Sequence, residues 1–401
     1  MAGGFPAPHV VGANLQVLGS VAAADALGGP YGAVAFADRS GGIWAFRVRS
    51  DGTTGSPLRA AADQADVRDV QVAVTDRDEV VVVWAALVNR IGRSAVRYAV
   101  AAPGRSFSGA RTLATVGSNT SATPRIAALR GGTVAVILRD THPPRSTGVL
   151  RYARRAPGGM FGPARSLGHD GVAPEIAAAP GGGALLAWGQ GPLTRRALEV
   201  ATARRGAALP APATSVAGRV RALTLAASSD GTTWVTWTRR TTGPATGFAR
   251  RTRAANRGAV GPVQQLGAVA YGVPRVAVGG LQPVLAAWNA VGPGASANVR
   301  LAAAPGIGAT LGPGTTFDAG GFSQTSPVPV LRGTEQLVVF TRQIPSPMGA
   351  PAEAAIANPA TGATAPLGGA ASIAAPAVAR VGNAVVVAWA ATGGGIAVTA
   401  A

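Results

Sequence analysis

Carboxylates, arginines and tyrosines are the side chains of this chain that could do chemistry, and the first are scarce. Glutamate occurs at Glu79, Glu175, Glu199, Glu335 and Glu353 only. Glycoside hydrolysis needs two carboxyl groups flanking one bond. No two of these five occupy matching places in adjacent copies of the chain's internal repeat, so the pattern assigns no catalytic residue. Asp76-Arg77-Asp78-Glu79 is the one acidic cluster; on a hairpin it reads as an exposed turn ahead of a calcium site. His9, His142 and His169 lack metal-ligand spacing, and cysteine is absent. Disulfides, thiolate catalysis and Cys-based metal sites are thereby excluded. No metal and no cofactor is expected.

Arginine is abundant. The chain has no lysine, so all 36 basic residues are Arg against 17 Asp and Glu, a formal charge of +19. Such a charge attracts polyanions at low salt. The arginines crowd into the third to fifth repeats, where Arg151, Arg154, Arg250 and Arg253 mark a basic sector. An anionic polysaccharide is the partner such a sector would take; a solvated surface that keeps an apolar protein dispersed is the favoured reading. Nucleic acid is disfavoured, because only Tyr152 and Phe248 interleave with the arginines.

The elements that must position these groups come from the repeat. A bulky residue closes an apolar run at Phe36, Trp84, Leu138, Trp188, Trp237, Trp288, Phe340 and Trp389, with gaps of 48, 54, 50, 49, 51, 52 and 49 residues. The third copy is clearest. Pro124-Arg125-Ile126-Ala127-Ala128-Leu129 precedes Gly131-Gly132, then Thr133 to Leu138, then Gly148 to Arg154, then a stretch ending Leu167-Gly168. Short runs bounded by Gly and Pro read as four strands per copy. A period near fifty with four strands predicts an all-β fold: an eight-bladed β-propeller of four-stranded antiparallel blades, or seven blades if the irregular first copy is not a blade. The uninterrupted repeat predicts one domain over residues 1–401.

The last copy ends after a third strand, and an orphan segment at the amino terminus matches a fourth. Residues 9–19, with 13–19 as the pairing stretch, are expected to close the last blade, the Leu18-Gly19 ending matching Leu167-Gly168. Closure of this kind removes an open edge.

A propeller of this layout presents a ring of positions where each blade's first strand begins. Aligned by the repeat, they are Gln71, Arg125, Glu175, Arg221, Arg275, Val328 and Ala377. Arginines with a carboxylate at one mouth would form a polar funnel suited to an anionic group.

Ser228-Ser229-Asp230-Gly231-Thr232-Thr233-Trp234 resembles the Asp-box of sialidase-like propellers, one residue short, and Arg39-Ser40-Gly41-Gly42-Ile43-Trp44 resembles it more loosely. With the repeat, this makes the chain similar to secreted bacterial propeller repeat proteins. The resemblance implies architecture, and boxes that brace turns. Sialidase activity would also need an arginine triad, a Tyr–Glu pair and an acid Asp, which Tyr31, Tyr98, Tyr152, Tyr271 and the five Glu do not suggest. No apolar run approaches the 18 residues of a membrane span. The resemblance implies an extracellular or cell-envelope location, although Met1 to Pro6 carries no export signal. The expected function is a non-enzymatic scaffold for a ligand or protein partner; a glycan-active hydrolase or lyase is the second reading, and a polyanion-binding envelope protein the third.

Overall fold

A computed structural model describes residues 5–26, 29–62, 66–87, 94–116, 122–141, 148–192, 194–207, 210, 214–216, 219–228, 232–239, 245–253, 261–270, 272–278, 284–291, 297–305, 309–317, 323–343, 352–370 and 375–401. The described residues are strand and turn, apart from a short 3-10 turn at Pro180–Gly182. They form the four-stranded antiparallel blades of a β-propeller. The chain divides into two compact units. An amino-terminal unit holds residues 16–49 and 53–220, and a carboxy-terminal unit holds 1–15, 50–52 and 221–401.

Among the described residues, hydrogen-bonded sheets number seven, six of four strands and one of seven; the count matches the seven-bladed alternative because two copies share one sheet, while the first copy forms a four-stranded sheet of its own. The seven-stranded sheet spans two sequence repeats. They fuse through one long strand, Arg165–Ala179. Its first half pairs with Gly148–Arg155 as an outer strand, and its second half pairs with Gly183–Gln190 as the next inner strand. Gly171 bonds on both sides of this junction.

Within each unit, a second strand that lies between two blades buries both of its faces. In the amino-terminal unit, Val80–Leu87 shows the division. Val80, Val82, Trp84 and Ala86 pack back onto Ala33, Ala35 and Ala37 of the first repeat. Val81, Val83 and Ala85 pack forward onto Val134, Val136 and Leu138 of the third. In the carboxy-terminal unit, Val284, Ala286 and Trp288 join Trp234 and Ala249 of the fifth repeat, while Leu285 and Ala287 join Val338 and Phe340 of the seventh. The repeating bulky residue thus plugs the gap toward the preceding blade at Trp84, Leu138, Trp188, Trp288, Phe340 and Trp389. Burying each such side chain contributes about 1.5–3 kcal/mol.

The amino-terminal segment closes the last sheet as expected, through residues 9–11 and not through the expected pairing stretch 13–19. The strand beside Ile396–Ala400 is His9–Val11, in register His9↔Val398, Val10↔Ala397 and Val11↔Ile396. Residues 13–19 are not that strand. The chain turns at Gly12, where Leu15 donates its N–H to the Gly12 carbonyl (2.8 Å). Val17–Asp25 then runs as the inner strand of the first blade against Tyr31–Asp38. A register shift between Leu18 and Ala22 breaks its alternation, which made Leu18-Gly19 look like a strand ending. The amino-terminal segment is further fastened by Thr399 Oγ1 donating to the Pro6 carbonyl (2.8 Å) and by Gly395 N–H donating to the Leu15 carbonyl (2.7 Å).

Candidate functional site

In the amino-terminal unit, the starts of three successive inner strands bring charged side chains together. Arg125 opens Arg125–Leu129, and Glu175 opens the inner half of Arg165–Ala179. They are fifty residues apart, one repeat, so the blades set them side by side. Arg125 Nε donates to Glu175 Oε1 at 3.0 Å, and its Nη1 donates to the Pro124 carbonyl at 3.0 Å. The pair is about three-quarters buried, with side-chain exposures of 27% and 21%. Burial alone would lower the Arg125 guanidinium; the Glu175 charge and hydrogen bond outweigh it and hold the group above its ordinary value. Gln71, half-buried, sits at the equivalent place one repeat earlier, opposite Val83.

The third member was not singled out by the sequence. Asp69 lies in a bulge of Val67–Val74, where the register shifts between Arg68 and Gln71. Its φ is +51°, in the left-handed region that Asp tolerates better than most residues. The bulge is architectural: Ala173 takes φ +45° two residues before Glu175, beside a matching register shift. Bulges re-aim side chains near functional sites, and among the described residues only the second repeat puts a carboxyl there. Burial pushes the Asp69 carboxyl above its ordinary value, and the charges of Arg125 and Arg68 offset that only in part. Both guanidiniums are already engaged. Arg125 holds Glu175, and Arg68 holds Asp66 through Nε (3.1 Å) and Nη2 (2.6 Å). Among the described residues, no hydrogen-bond donor reaches the Asp69 carboxyl. It is a half-buried acceptor set in a frame of satisfied ion pairs.

Arg221 and Arg275 hold the matching repeat positions in the carboxy-terminal unit. Arg221 is exposed on Val220–Ala227, and Arg275 is half-buried opposite Ala287. Val328 and Ala377 pair with Val339 and Ala388 and add no polar group. In the amino-terminal unit the inner-strand starts therefore set one arginine of the expected ring against two carboxylates.

Three of the four arginines that mark the expected basic sector make internal hydrogen bonds. Arg151 Nη2 donates to Asp140 (3.0 Å), and Arg154 Nη1 approaches the carbonyls of Arg204 and Ala207 (3.5 Å each). Arg250 Nε donates to the Gly261 carbonyl (2.9 Å), and burial lowers its guanidinium. The Arg253 side chain lies outside the described residues.

The acidic cluster ties blades together. Asp76 accepts the N–H groups of Gly131 (2.6 Å) and Gly132 (2.5 Å). The Asp78 carbonyl accepts Arg47 Nη2 (2.5 Å). Glu79 takes a two-pronged bond from buried Arg155, Nη1 to Oε2 at 2.9 Å and Nη2 to Oε1 at 3.0 Å. That bond holds the Glu79 carboxyl below its ordinary value, against the opposing effect of burial. The Asp76 and Glu79 carboxylates have protein partners where a cation would need open oxygens. Among the described residues no three His, Asp or Glu side chains converge as a metal site.

Of the two box-like turns, the looser is the one in view. Asp38 accepts from Ser40 N–H (2.8 Å), Ser40 Oγ (2.6 Å), Gly42 N–H (2.8 Å) and Trp44 Nε1 (2.7 Å). Burial would raise its carboxyl, and these donors bring it below the ordinary value. It braces the hairpin between Tyr31–Asp38 and Gly42–Arg49. Asp230 and Gly231 lie outside the described residues; on either side of them, Ser228 N–H donates to the Thr232 carbonyl (2.9 Å). Tyr98 and Tyr152 are buried between blades, and Tyr31 lies under Arg49 at 5.7 Å. Tyr271 and His142 fall outside the described residues.

No protein-family model and no curated protein sequence matches the chain. Among solved structures, it is similar to an ulvan lyase of polysaccharide lyase family PL25 (12% identity, 84% of this chain, 92% of that one, TM-score 0.49). It is similar to the β-propeller domain of the trilobed protease from Pyrococcus furiosus (10% identity, 84% and 93%, TM-score 0.49). A third is the Aleuria aurantia lectin in complex with α-methyl-L-fucoside (12% identity, 75% and 97%, TM-score 0.43). These scores lie below 0.5, so the fold assignment rests on the strand topology itself.

Proposed function

We propose that the protein is a non-enzymatic, glycan-binding propeller whose contact site is the blade mouth around Asp69. The observation that carries this reading is the Asp69 carboxyl, held in a left-handed bulge with no internal donor. An ionised carboxylate only accepts hydrogen bonds and has room for several donors. Two adjacent sugar hydroxyls supply that geometry. Arg68, Gln71 and Arg125 surround the position with further polar groups, the sparse set that gives a binding site its orientation. Glu175 is anchored by Arg125, which suits a fixed wall better than a nucleophile. The charge balance also favours a hydroxyl-rich ligand over a polyanion, because both guanidiniums beside Asp69 already hold carboxylates.

The test is a panel of neutral oligosaccharides, screened on an array and then titrated calorimetrically against the wild type and Asp69→Ala. The reading expects at least one neutral glycan to bind, with affinity falling about tenfold or more in the variant, a loss of roughly 1.4 kcal/mol. Undiminished binding by Asp69→Ala, or no binding across the panel, refutes it.

A further inference from the structure

We infer that Asp69 is a charge gate: at neutral pH the mouth admits uncharged glycans and repels carboxylated or sulfated ones, and in acid it opens to both. This rests on the glycan-binding reading and adds the substrate class and its regulation.

The protein as a whole is strongly cationic, at +19, which would draw anionic sugars toward it. That field is screened over about 8 Å at physiological salt. Within the mouth the local groups decide. Asp69 faces Arg125 from the third blade and Arg68 from its own strand, each bonded to another carboxylate, Glu175 and Asp66. The neighbouring strand Val80–Leu87 carries no charge. The preceding blade's inner strand, Val17–Asp25, carries only Asp25, at the end where the adjacent Ala26 bridges to Val74, far along the strand from Asp69. Its partner Tyr31–Asp38, which also packs on the Asp69 strand, carries Asp38, whose carboxylate is held by Ser40, Gly42 and Trp44. An incoming carboxylate therefore meets a free carboxylate and two guanidiniums that it could use only by breaking existing pairs. Unpaired like charges of this kind are a recognised way to reject a competitor. When Asp69 takes a proton, it becomes a neutral donor and acceptor, and the repulsion disappears. Burial makes that proton easier to accept than for an ordinary aspartate.

The experiment uses the full chain and matched neutral oligosaccharides and their C6-carboxylate counterparts, of cello-, manno- and galacto- type. Each is titrated at about pH 7.5 and about pH 5, where a uronate stays ionised. The wild type should favour the neutral member by about tenfold at the higher pH, a preference that shrinks at the lower one. Asp69→Asn, which keeps the shape and removes the charge, should bind both members alike at both pH values. The gate is overturned if the wild type binds both members equally at neutral pH, or if Asp69→Asn keeps the preference. If neutral glycans bind and Asp69→Ala abolishes that without any charge discrimination, the gate alone fails. If neither series binds, the glycan reading falls and the gate with it.

Discussion

Removing the Glu79 carboxylate should be among the most damaging single changes in the amino-terminal unit. Arg155 is almost fully enclosed, with its side chain 2% exposed against 12% for Glu79. It makes two bonds to Glu79 and one, through Nε, to the Gly159 carbonyl (2.8 Å). Glu79→Ala leaves a buried guanidinium with only that last bond. Breaking a buried ion pair from one side costs about 3–5 kcal/mol, and the surviving bond to Gly159 places this case near the lower end, about 3 kcal/mol. For a unit of this size the loss lowers Tm by about 6–12 °C. Two companions make the test specific. Asp66→Ala breaks the exposed Arg68 pair, with exposures of 56% and 46%, and should cost under about 1 kcal/mol. Glu79→Leu combined with Arg155→Met removes both charges and should recover most of the loss. The pH dependence has a definite sign. The Glu79 carboxyl is depressed in the folded state, so its stabilisation is present above the ordinary glutamate range and is lost as pH falls through the depressed folded value. The gap between wild type and Glu79→Ala should close in acid. Calorimetry and denaturant unfolding read all three variants. A Glu79→Ala penalty no larger than that of Asp66→Ala would refute the reasoning.

Three further outcomes follow from the same geometry. Deleting residues 1–11 removes His9–Val11 and exposes the edge of Ile396–Ala400, so the carboxy-terminal unit should melt earlier and its 385–401 amides exchange faster; an unchanged Tm would contradict the pairing. The protein should elute from immobilised heparin below physiological salt, about 0.15 M, because Arg151, Arg154 and Arg250 are bonded internally; retention well above that salt would restore the basic sector as a docking surface. Asp69 has the opposite sign to Glu79. Its carboxyl is raised by burial, so its contribution is favourable below the ordinary aspartate range and is lost as pH rises through the raised folded value. Asp69→Asn should therefore raise Tm at neutral pH and leave it unchanged in strong acid; a lower Tm at neutral pH would show that the charge is needed for folding.

The repeat was legible because every copy must fill the same gap between blades, so a bulky residue returns every fifty positions. The same spacing placed Arg125 and Glu175 in one ring of positions, and their ion pair follows from being one period apart. Asp69 was hidden by the bulge. Counting back along an alternating strand assigns side chains to faces by parity, and an extra residue breaks that count without any compositional mark; Ala173 adopts the same conformation with no polar group to draw notice. The closing strand was misplaced for a related reason. His9–Val11 is three residues long, too short to show a period, whereas the bulged start of Val17–Asp25 imitated the Leu-Gly ending of an outer strand. The internal bonds of Arg151, Arg154 and Arg250 were not legible, because a sequence does not show which carbonyls and carboxylates a guanidinium will find.

Hydrogen–deuterium exchange with and without a bound neutral oligosaccharide tests the central assignment most directly. New protection is expected in the peptides covering 66–72, 124–127 and 172–177, the three inner-strand starts that frame Asp69, and no such protection in Asp69→Ala. Protection confined to other segments, or unchanged exchange in those three while the glycan is bound, would contradict it.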